Sequence, residues 1–204
     1  MKRYNKIIWG LIIGSTFPLF LCLLSIVIWF YLDKSESRVL FYLASGLLLG
    51  LIIDFKFLKG WINKRYELPF WFILGIYVFY NIGLYGMFMG FPVFNVFLGL
   101  VAGYYCSQRI LFKKIPSEKH YKLINHVSII TGLIMFLICI SSGFIALAGE
   151  GVGYDIQKML GLRCVIAKSM ILGITLIGGI SLITFTIALT KITMIKTLKI
   201  IKLR

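Results

Sequence analysis

Long stretches without charge dominate the chain. Residues 7–32, 39–53, 68–108, 127–149 and 169–190 contain no Asp, Glu, Lys or Arg. A bilayer core about 30 Å thick takes roughly 20 residues of helix at about 1.5 Å per residue. The 41 residues of 68–108 therefore cover two such thicknesses. Gly86, Gly90 and Pro92 lie near their middle, so the stretch divides into two spans joined by a tight turn near Met87–Phe91. The stretch 39–53 is short, and its helix reaches Leu58 if Asp54 and Lys56 sit near the membrane interface. The pattern predicts six helices, at about 7–32, 39–58, 68–87, 92–112, 125–149 and 166–190, forming one transmembrane domain over residues 1–204.

Backbone polar groups in lipid must be satisfied within the spanning segment or in a closed barrel. Barrel strands alternate over about ten residues. The apolar stretches here are continuous, so the expected fold is an all-α integral membrane protein, a bundle of six transmembrane helices. The first span begins with Lys2, Arg3 and Lys6. Its apolar part is about twice the length of a signal-peptide core, and no small-x-small pattern precedes Asp33, so it is expected to remain as an anchor.

Composition sharpens this reading. The 204 residues are 60% hydrophobic and 14% charged, against roughly 45–50% and 25% in soluble domains. A soluble globular enzyme and a disordered chain are both excluded. With the N-terminus placed inside, seventeen of the 22 Lys and Arg fall in inner segments and five in outer ones. The positive-inside rule then places both termini in the cytoplasm. The net charge of +15 is explained by that face and by anionic lipid headgroups there. No groove-reading motif accompanies it, so no nucleic-acid partner is expected.

Catalytic chemistry is poorly supplied. Cys22, Cys106, Cys139 and Cys164 form no C-x-x-C pair, so no disulfide, zinc or redox framework is implied. His120 and His126 are six residues apart, on different helix faces. Ser141-Ser142-Gly143 has no histidine after it, and no paired acids lie within the spans, which leaves general acid–base work without its groups. There is no phosphate-cradling loop, so energy coupling to ATP would need a partner membrane subunit. No catalytic residue, metal site or cofactor is expected.

Small residues recur at spacing four: Gly10, Gly14 and Pro18; Gly46 and Gly50; Gly99 and Gly103. Such stripes let helix backbones approach closely. The polar residues inside the spans are more informative. Folding 68–108 as a hairpin about Phe88 puts Asn81 and Asn95 level, each seven residues from the centre. Tyr77, Asn81 and Tyr85 share one face of their helix, and Tyr77 is level with Gly99, whose missing side chain leaves room for a ring. The long connection Gly149–Cys164 carries Glu150 and Asp155, and 154–160 can form a short interfacial helix. Two readings stay open. The amides and tyrosines either bond each other between helices, or Tyr77, Asn81, Tyr85, Asn95 and Glu150 line a polar pocket that opens outward beneath that connection. The tail Lys191–Arg204 reads as a continuation of the sixth helix beside anionic lipid, with scattered lysines and no clean apolar face.

The stretch Met89-Gly90-Phe91-Pro92-Val93-Phe94-Asn95, followed by Gly99 and Gly103, resembles small polytopic membrane proteins of Gram-positive-type bacteria that have no assigned function. The resemblance implies a bacterial plasma-membrane location and no chemistry. The six-span, cytoplasm-basic format of about 200 residues also resembles the substrate-binding subunits of energy-coupling-factor vitamin transporters. Three function classes follow. A small-solute binding or transport subunit, with a small-molecule ligand, is favoured because polar groups gather in one leaflet without catalytic acids. A non-catalytic interaction protein, acting in immunity, sensing or assembly, is the alternative. An enzyme is the least supported.

Overall fold

The computed structural model describes residues 2–88, 90–149, 154, 157, 158, 161 and 167–202, with the side chains of 2–5 and 201–202 excepted. The described residues are helical, with no strand: α1 (Lys2–Leu32), α2 (Val39–Asn63), α3 (Phe70–Met87), α4 (Val96–Phe112), α5 (His120–Ala148) and α6 (Lys168–Lys202). Five of these, all but α4, are long and apolar enough to cross a membrane. At 17 residues α4 is shorter, and a 3-10 turn over Pro92–Asn95 leads into it.

The chain packs as two compact units, 1–79 and 80–204, with the division inside α3. In the first, α1 and α2 form an antiparallel hairpin. Its turn is fixed locally: the Asp33 and Lys34 amides both donate to Trp29 O at 3.0 Å, and the Trp29 indole donates to Ser35 O at 2.8 Å. The small-residue stripes face each other. A Cβ on Gly50 would fall on the Pro18 backbone, and one on Gly46 would meet Leu21 O and Ser25. These glycines are there because the other backbone occupies the space a side chain would need. Rings fill the flank, with Phe17 stacked on Trp61 at 4.8 Å and Phe20 edge-on to Phe79 at 6.0 Å.

One boundary departs from the sequence expectation in this unit: helix α2 runs on to Asn63, not Leu58. Asp54 lies within the helix and is buried, 7% exposed, because it faces the neighbouring helix, while Lys56 and Lys59 on the other faces are exposed.

In the second unit α4, α5 and α6 pack together. A Cβ on Gly103 would lie 2.7 Å from Thr190 O, so α4 and α6 approach backbone to backbone. Val96, Met135 and Cys139 form one apolar cluster, and Ile110, Ile124, Met194 and Leu198 form another toward the α4–α5 turn. The tail continues the sixth helix as expected, and the second cluster corrects one point, since Met194 and Leu198 give it a buried apolar face. Helix α6 continues to Lys202, and Thr186, Thr190, Met194 and Leu198 recur every fourth residue on a buried face. The apolar half of that stripe lies in the tail and its hydroxyl half in the span, so neither segment alone shows it.

Candidate functional site

The turn between α3 and α4 builds the site. Gly90 adopts φ +83°, which an L side chain rarely tolerates, and its amide donates to Tyr85 O at 2.9 Å. The Phe88 and Phe94 rings stack at 3.8 Å across the turn, and Pro92 opens the 3-10 turn that carries Asn95. From α5, the Ser142 hydroxyl donates to Gly90 O at 2.7 Å and holds the turn in place. Ser141 and Ser142 are thus occupied with backbone carbonyls, Ser141 with Leu137 O at 3.0 Å.

Asn81 and Asn95 lie level, as folding about Phe88 predicts. Asn95 Nδ2 donates to Asn81 O at 2.6 Å and to Asn81 Oδ1 at 3.1 Å. Both residues are inaccessible, at 1% and 0% exposed. The pair leaves hydrogen-bonding capacity unused. Asn95 Oδ1 and the Tyr85 hydroxyl are buried without a partner among the described residues. The hydroxyl stands 3.4 Å from where a Cβ on Gly90 would be. An unmade bond on a buried polar atom costs about 1–3 kcal/mol, so a further polar group at either atom would be stabilised.

Of the five residues expected to form the pocket, Asn81 and Asn95 come together in the second unit, and Tyr85 of the same unit stands beside Gly90. Tyr77 belongs to the first unit, and Glu150 lies outside the described residues. Most of the connection 149–164 does as well; of its expected interfacial helix, Tyr154, Gln157 and Lys158 are described and helical, with Lys158 Nζ 4.7 Å from the Tyr154 ring centre. The room beside Gly99 is not free for a tyrosine ring. Thr190 Oγ1 would sit 2.9 Å from a Cβ there, and Thr186 fills the remaining side.

Sequence reasoning missed a second polar group, deeper in the same unit. Thr131 and Thr190 join their hydroxyls at 3.2 Å, and Thr190 Oγ1 donates to Gly99 O at 3.2 Å. Ser107 donates to Gly103 O at 2.8 Å and reaches Met194 O at 3.3 Å. Ser107, Ser128, Thr131, Thr186 and Thr190 are all at most 3% exposed. Gly99 and Gly103 of α4 bare the carbonyls that Thr190 and Ser107 use. The signal was available: Gly99, Gly103 and Ser107 share one spacing of four, and Thr186 and Thr190 share another.

At the α4–α5 turn a basic cavity of about 1020 Å³ is lined by Lys113, Lys114, Lys119, Lys122, Tyr121 and His126, among others. Lys114 holds φ +50°, at a helix end where glycine is the usual residue. The Ile115 amide closes the end on Ile110 O at 3.2 Å, and the His120 ring pairs with Ile115 O at 2.8 Å. The group of cationic side chains around this cavity suits an anion. No cluster of three or more His, Cys, Asp or Glu able to hold a metal occurs among the described residues.

Compared with known proteins, the chain matches no family model, no curated protein and no solved structure.

Proposed function

We propose that this multi-pass membrane protein is a small-solute binding or transport subunit of a bacterial plasma membrane, with six spans and both termini in the cytoplasm. In this reading Asn81, Tyr85 and Asn95 line a polar pocket in the outer leaflet. One observation carries it: Asn95 Oδ1, at the buried amide pair, and the Tyr85 hydroxyl, four residues on from Asn81 in α3, have no partner among the described residues. The first atom accepts and the second both donates and accepts. A neutral polar solute bearing an amide or hydroxyl group offers a partner to each. Buried polar groups in spans are costly unless paired, and mark solute pathways when they are not.

The α4–α5 turn lies on the cytoplasmic side in this orientation. Its lysine-lined cavity then faces anionic lipid headgroups, with Lys196 and Lys199 of α6 adding charge on the same side. Lysines near such a surface contribute about 1 kcal/mol each. The orientation is checked by single-cysteine labelling of intact cells with an impermeant maleimide. A cysteine at position 36 reacts and one at position 118 does not; reaction at 118 would reverse the topology.

The solute reading is tested by denaturing the detergent-purified protein and identifying what it releases by mass spectrometry. A polar small molecule, close to one per chain, is expected. Release of lipid and detergent alone would turn the assignment toward a non-catalytic interaction protein.

A further inference from the structure

Among the described residues Asp54 is a buried acid, 7% exposed, and nothing in the reading of Asn81 and Asn95 uses it. It stands four residues after Gly50 and eight after Gly46, on the stripe of α2 that packs against α1. Its Oδ2 lies 3.7 Å from where a Cβ on Gly14 would be, so the carboxyl is aimed at the α1 backbone. The residue is 7% exposed, and Oδ1 is buried without a hydrogen-bond partner among the described residues. The ion pair found among those residues joins Arg38 to Asp33, at the far end of the hairpin.

Among the described side chains no countercharge is paired with Asp54. The described titratable groups on the helices of this unit are Lys6, Cys22 and Tyr31 of α1, Tyr42, Lys56 and Lys59 of α2, and Tyr77 in the part of α3 that belongs to it. Lys6, Lys56 and Lys59 are exposed, and no hydrogen bond or ion pair joins any of these groups to Asp54. An isolated carboxylate in such a place is expensive, and the cost is avoided by holding a cation on the oxygen. An alkali cation needs several oxygen ligands, and the hairpin presents this one carboxyl among glycine, proline and leucine. A proton needs a single oxygen.

We propose that Asp54 is a proton-binding site inside the α1–α2 hairpin, of the kind that membrane proteins use to couple their work to proton movement. The site lies in the first unit and stands whether or not the second unit binds a solute.

The test uses the full chain reconstituted in lipid vesicles. Dicyclohexylcarbodiimide, an apolar reagent, adds to protonated carboxyls and leaves a stable acylurea that peptide mass spectrometry locates. Acylurea is expected on Asp54, with a rate that falls at least about tenfold between about pH 5 and pH 9. Sodium ions should not protect it. A water-soluble carbodiimide should modify Glu36, Glu67 and Glu118 and spare Asp54. The site is read on the wild-type chain, so the result does not depend on a variant folding; Asp54→Asn, where it folds, should lose that acylurea alone. Absence of acylurea on Asp54, a rate independent of pH, protection by sodium, or ready modification by the water-soluble reagent would each overturn the proposal.

Discussion

The two units solve the same problem by different means. Each brings helices close enough for glycines to meet backbone. In the first unit Gly46 and Gly50 meet the α1 backbone at Leu21 and Pro18, and the contact is steric, flanked by rings. In the second, Gly99 and Gly103 meet Thr190, and the contact is also a hydrogen bond, since Thr190 Oγ1 donates to Gly99 O. Water-excluded helices gain nothing from apolar burial against one another, because lipid tails are equally apolar. Close packing and hydrogen bonds remain. The first unit relies on the former and leaves one carboxyl, Asp54, in the seam. The second adds the latter and leaves unused hydrogen-bonding capacity at Asn95 and Tyr85.

If the first unit is held by steric fit, the largest loss should come from filling it. Gly50→Leu should cost at least about 3 kcal/mol, because the added atoms fall on the Pro18 backbone. Gly60→Leu, on the same helix with nothing within 4 Å, should stay within about 0.5 kcal/mol. Thermal unfolding in detergent reads both, and equal losses would remove the steric account.

The second unit should answer to polarity. Asn95→Leu alone should cost about 2 kcal/mol, since it strands the Asn81 amide. Replacing both with Leu should recover most of that loss, because the pair exchanges two amides for two apolar groups. A double variant as unstable as the sum of the single ones would show that each amide bonds something else. The smallest effect is expected at Thr190→Val, which keeps the shape and deletes the hydroxyl. A bond of this kind in a membrane is worth about 0.6 kcal/mol, and a loss several times larger would make the hydroxyl group of α4, α5 and α6 a structural centre.

These regions differ also in how far the sequence discloses them. The glycine stripes are visible because one residue type recurs at one spacing in both partner helices. The level placement of Asn81 and Asn95 follows from counting outward from Phe88, since a tight hairpin leaves little freedom of register. The Thr186–Leu198 stripe is only half legible: the spacing of Thr186 and Thr190 is there to read, but threonine is near neutral on a hydropathy scale and the carbonyl that Thr190 uses is bared by Gly99 on another helix. The burial of Asp54 was not legible, because it depends on which face of α2 meets α1, and that is a property of the pair.

The central claim is that the buried amide pair serves a solute as well as the fold. Native mass spectrometry of the wild-type protein beside the Asn81→Leu/Asn95→Leu variant tests it most directly. The account predicts a small-molecule adduct on the wild type that is absent from an equally folded double variant. An adduct retained by both, or by neither, would contradict it and leave the pair as a helix-to-helix bond alone.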